Sequence, residues 1–149
     1  MANLYPTFEV PSEIGIKTEK TVGYKPSVFF NYTEGDFAEG PNGGMSVKAT
    51  GEEAWIQWCM QACMTQRGAF SAYDKNLYGV DYERILKETD VSLQYSLLVK
   101  EITESIMSDE YKRTKLVNNF NFEKIADGLS ISFDITGIDG AVQKIRFTV

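Results

Sequence analysis

Short apolar runs at residues 28–32 and 45–49 flank the turn-forming stretch Gly40-Pro41-Asn42-Gly43-Gly44, which predicts two strands joined as a hairpin with a long loop. Thr50-Gly51-Glu52-Glu53 then has capping-box form: Thr50 can accept from the third helical N–H while Glu53 reaches back, so a helix is expected to begin here. Trp55, Trp58, Cys59, Ala62 and Cys63 recur at helical spacing to about Gln66, giving that helix one broad apolar face. Residues 67–79 hold Phe70, Tyr73 and Tyr78 around Gly68 and the polar turn Asp74-Lys75-Asn76, a pattern read as a brief strand and a loop. Thr89 or Asp90 caps a second long helix. Val91, Tyr95, Leu98, Ile102 and Ile106 fall on its buried face, with Lys100, Glu101 and Glu104 largely off it.

Beyond Asp109 the period becomes two. Leu116, Phe120 and Phe122 share one parity, and Asp127-Gly128 supplies the residues of a tight turn. Leu129, Ile131, Phe133 and Ile135 alternate with Ser130, Ser132, Asp134 and Thr136; after Asp139-Gly140, a last strand places Ile145, Phe147 and Val149 on one side. The expected fold class is α+β: an antiparallel sheet with a carboxyl-terminal three-stranded meander, covered by two principal helices. Three of the four prolines, Pro6, Pro11 and Pro26, fall in residues 1–27, which read as an extended amino-terminal arm, with residues 28–149 as a single domain.

Composition narrows the chemistry. A hydrophobic fraction of 43% and an aromatic fraction of 13% suit one packed globule rather than a disordered chain. The net charge of −6, with no dense run of Lys or Arg, gives no attraction to a phosphate backbone, so nucleic acid is not an expected partner. No apolar stretch approaches the roughly 20 residues of a membrane span, nor does the amino terminus have the layout of a signal peptide, so no membrane association and a cytoplasmic origin are expected. Histidine is absent, which removes Ser-His and Cys-His catalysis and the usual zinc sets; no metal or cofactor is expected. Cys59 and Cys63, four apart in a helix, read as buried free thiols.

The acidic pairs Glu52/Glu53 and Asp109/Glu110 could serve as the two carboxylates of a glycosidase. Helix capping explains the first pair better, and a solvated connection the second. Two other features point to protein partners. Tyr73, Tyr78 and Gly79 belong to an aromatic loop, where rings either fold onto the core or stand out for another chain. The last strand, with Lys144, Ile145, Arg146, Phe147, Thr148 and Val149, either is an edge protected by its lysine and arginine or is a template for pairing with a second chain.

With Gly51-Glu52-Glu53-Ala54-Trp55-Ile56-Gln57-Trp58, followed by Thr65-Gln66-Arg67, Phe70, Tyr73-Asp74 and Tyr78-Gly79, the chain resembles the XkdS-like baseplate proteins of contractile phage tails. These are relatives of the lysozyme-like baseplate wedge and sheath-initiator proteins of myophages, R-type bacteriocins and related injection machines. The resemblance implies a structural, non-enzymatic subunit, present in several copies around the tail axis. It would be assembled in the producing cell's cytoplasm and placed in the baseplate, with sheath, wedge and tube or hub proteins as partners. It further implies that the final strand seeds the sheath, so that deleting its last six residues should stop sheath growth while leaving the domain folded. The chain departs from its relatives after the second helix, where an acidic-Pro-Arg element is replaced by Ser108-Asp109-Glu110-Tyr111-Lys112-Arg113, and in the aromatic loop, which gains Lys75 and Asn76. A lysozyme-type hydrolase and a cytoplasmic adaptor are the rival readings.

Overall fold

The computed structural model describes residues 27–32, 34–40, 48–49, 51–73 and 77–149. The expected arm, apart from Ser27, and the glycine-rich residues 41–44 lie outside the described residues, as does Thr50. The first expected strand is divided: β1 (Ser27–Val28) pairs antiparallel with β4 (Lys48–Ala49), while β2 (Phe30–Asn31) pairs with β3 (Asp36–Phe37) in a small inner hairpin. Helix α1 (Glu52–Met64) starts where expected, but Gly51 occupies the N-cap position, and among the described residues no side-chain hydrogen bond caps the helix. The φ of Gly51 is 58°, a backbone conformation that a residue without Cβ adopts at little cost.

Strands β5 (Thr114–Ile125), β6 (Gly128–Gly137) and β7 (Val142–Thr148) form the antiparallel meander, in the order β5-β6-β7. Its inner face carries Leu129, Ile131, Phe133, Ile135, Ile145 and Phe147, all buried. Against them pack Trp55, Cys59 and Cys63 of α1 and Leu98, Ile102 and Ile106 of α3 (Val91–Met107). Full burial of each such aliphatic side chain is worth about 1.5–3 kcal/mol, so the strict alternation of β6 largely decides which face meets the helices. Where the core takes in polar atoms it partners them: the Trp55 indole N–H donates to Thr114 Oγ1 at 2.9 Å. Asp90 caps α3, its carboxylate accepting from the Ser92 and Leu93 amides.

The structure departs from expectation in five further places. Leu116 does not share a face with Phe120 and Phe122, because β5 slips register twice, between Thr114 and Leu116 and again between Asn118 and Asn121. The second slip is a β-bulge with Asn119 at φ 56°; the extra residue reverses the alternation, so Phe120 stacks on Phe133 while Leu116 is exposed. Residues 67–79 contain a 3-10 turn at Ser71–Tyr73 and no strand among the described residues, beyond a single parallel bridge from Gln66 to Val80. A short helix, α2 (Tyr82–Ile85), follows Asp81, which caps it by accepting from the Arg84 amide.

Glu101 is not off the buried face of α3 but 4% exposed. Arg84 hydrogen-bonds one of its carboxylate oxygens, Arg67 approaches the other to 3.7 Å, and the Asp81 amide donates to it at 2.8 Å. Asp109 likewise is no solvated connector: it is 3% exposed and binds Arg113 with two parallel bonds, Nε to Oδ2 at 2.7 Å and Nη2 to Oδ1 at 3.2 Å. Glu110, beside it, is exposed.

Candidate functional site

Strand β7 lies at the border of the sheet, and among the described residues no strand pairs with its outer side. Its pairing with β6 runs through seven consecutive partners, from Ser130↔Thr148 to Thr136↔Val142, without a bulge. The opposite border strand, β5, is interrupted by two register slips. Leu129 and Val149 exchange both backbone hydrogen bonds, at 2.8 and 3.0 Å. Because bonded and non-bonded pairs alternate along an antiparallel ladder, odd-numbered residues of β7 direct N–H and C=O toward β6, and Lys144, Arg146 and Thr148 direct theirs outward. Among the described residues the result is a regular row of unpaired donors and acceptors, the geometry that accepts an added strand.

The side chains of β7 divide by parity. Ile145 and Phe147 are core residues, and Val149 packs partly against the same cluster. Removing the last six residues would therefore strip two core side chains together with the edge, contrary to the expectation that the domain would stay folded. Lys144, Arg146 and Thr148 lie on the solvent face of the sheet and are exposed. Lys144 sits opposite Asp134, and Arg146 leans across β6 to Ser130 Oγ at 3.2 Å and to Glu123 at 3.6 Å.

The aromatic loop is built differently. Gly79 is buried, its N–H donating to Ser105 Oγ at 2.8 Å; at φ +87° an added Cβ would come within 2.9 Å of the Thr65 carbonyl oxygen. Tyr78 is half-buried with its ring 5.9 Å from Trp58. Tyr73 ends the 3-10 turn; residues 74–76 lie outside the described residues. Arg67, which the sequence marked only as part of the family motif, ties the loop down, donating to the carbonyls of Gly79 at 3.0 Å, Leu77 at 3.3 Å and Glu101 at 3.4 Å. Among the described residues of this region, Phe70, 59% exposed, and Leu77 are its large exposed hydrophobics.

Among the described residues, grooves of about 230, 310 and 290 Å³ indent the surface, and Glu53 is the one carboxylate side chain that lines them. A glycosidase needs two across one cleft. Both thiols are free and buried: burial pushes Cys59 up to about 12 and holds Cys63 well above the ordinary thiol range, so neither is a nucleophile near neutral pH. No helix among the described residues is long and apolar enough to cross a membrane.

A family model described as a contractile injection system sheath initiator matches residues 26–140, more than half of the chain. The match spans the α-helices, β5 and β6 and stops short of β7. No curated protein matches the chain.

Proposed function

The chain belongs to the contractile injection system sheath initiator family, whose role is structural, in sheath assembly; from that premise we propose that it is a non-enzymatic baseplate subunit that joins the baseplate to the first sheath ring and starts sheath growth through β7. The observation that carries the reading is the contrast between the sheet's two borders: β7 offers an unbroken outward row of backbone groups, whereas β5 is broken by bulges. Sheath chains add a strand there, and wedge and tube or hub proteins hold the rest of the domain, in several copies around the tail axis. The subunit is assembled into the particle in the cytoplasm of the producing cell. Neither an ordered cofactor nor a reactive side chain is needed for such a role, since main-chain hydrogen bonds supply the affinity.

The test is Arg146→Pro. The Arg146 N–H points outward, so proline removes a donor to a partner without breaking the ladder to β6, and border strands tolerate proline in that position. Folding of the variant is checked by circular dichroism, and tails from producing cells are pelleted and imaged. The variant should co-sediment with baseplates that carry no sheath; normal sheath on such tails would sink the strand-pairing reading.

A further inference from the structure

The same edge carries information about the sequence of the strand it accepts. On the solvent face, Lys144 and Arg146 project from alternate positions of β7. Arg146 donates through Nε to Ser130 Oγ at 3.2 Å, while its ion pair with Glu123 joins side chains 67% and 63% exposed, and such a pair is weak and readily exchanged. On the opposite face, the helix beside β7 is α1, and Glu52 in its first turn accepts from Gln143 Nε2 at 3.0 Å. Ile56 and Met60 follow Glu52 at i+4 and i+8 and so lie on the same flank of the helix. Both are half-buried, and with Phe29, Phe30 and Tyr32 they line the 310 Å³ groove, which is mostly apolar. Lys144 and Arg146 thus stand on the solvent side of β7, while on its other side the flank of α1 that meets Gln143 through Glu52 carries the apolar trough.

We propose that β7 selects an extended segment of a partner protein whose alternate residues are acidic on the side of Lys144 and Arg146 and aliphatic or aromatic on the side of Phe29, Ile56 and Met60. The inference rests on the strand-pairing reading above and adds the chemistry of the partner. Charge complementarity argues for this occupant over a second copy of the chain. Two β7 strands paired with each other would bring Lys144 and Arg146 against their own counterparts, and like charges directly opposite are unfavourable.

Two ten-residue peptides test it on the full chain, one alternating Glu with Val and the other alternating Lys with Val, each titrated into isotope-labelled protein while backbone amide shifts are followed. The Glu-Val peptide should move the amides of Lys144, Arg146 and Thr148 and bind about five-fold more tightly than the Lys-Val peptide. The preference should fade at 1 M salt, where the Debye length falls to about 3 Å. In the exposed double variant Lys144→Glu/Arg146→Glu, checked for an unchanged melting temperature, the preference should reverse. Equal binding of both peptides at these amides would overturn the charge selection while leaving strand pairing intact. Binding of neither would overturn the inference and the strand-pairing reading together.

Discussion

Asp109 and Glu110 follow the last apolar position of the second long helix, which is why the sequence reads them as a solvated connection. Helix α3 stops at Met107, however, and the following turn folds the side chains of Asp109 and Arg113 inward, with the Arg113 guanidinium 5.3 Å from the centroid of the Trp58 ring. Taking away the carboxylate leaves a buried cation alone, so Asp109→Ala is expected to cost about 3–5 kcal/mol in denaturant unfolding. Glu101 eluded the sequence for a related reason: its partners, Arg67 and Arg84, lie far from it along the chain. The thiols were legible, because small residues at helical spacing beside tryptophan belong to a core. Cys59 ionises near 12 when folded and at about 9 when exposed. The protection given by burying the neutral thiol is complete below pH 9 and is lost as the pH climbs from there toward 12, because only the unfolded chain releases the proton. Tyr32 and Tyr82, both raised mainly by burial, add to the loss above pH 10. Unfolding free energy measured from pH 7 to 11 should hold to about pH 9 and then fall, less steeply in Cys59→Ala.

At the scale of elements, what could be read depended on how regular the element is. Strand β6 alternates without exception and α3 keeps one apolar face from Leu98 to Ile106, so both stood out. Strand β5 did not, because two inserted residues break its parity, and nothing in the local sequence marks Lys115 or Asn119 as extra. The four-residue helix α2 is too short to show a period, and its only signal is Asp81 before Tyr82. The turn between β5 and β6 also controls the end of β7. An added Cβ on Gly128 would lie 2.3 Å from the Val149 carbonyl oxygen. Gly128→Ala should push that end away and break the Leu129–Val149 pair, seen as faster amide exchange at both residues while the amides of Phe133 and Ile145 stay protected.

For the whole molecule, the order of layers was legible and the site only partly so. The meander and two covering helices follow from hydrophobic spacing, but which border of the sheet is regular follows from bulges that appear only in three dimensions. The role proposed for β7 was suggested by its alternation and by a family resemblance, while the apolar trough on α1 combines Phe29 and Phe30 with Ile56 and Met60, residues that no local pattern connects. Gly79, grouped with the interface residues by its place in the aromatic loop, sits buried against Ser105, whereas Phe70 and Leu77 of the same region are exposed. At this scale the Arg146→Pro subunit is expected to give tails with bare tubes: its domain still seats in the baseplate, and only the step that needs an outward donor fails.

The inequality of the two sheet borders also fixes a count. A subunit that can be extended on one side only has a valence of one toward strands: it can cap or start a chain of paired sheets but cannot be an interior link. On the strand-pairing reading proposed above, each copy held in a ring would supply one starting point from this sheet. The number of sheath strands in the first layer would then be set by the number of subunits in the ring, independent of how much sheath protein the cell makes.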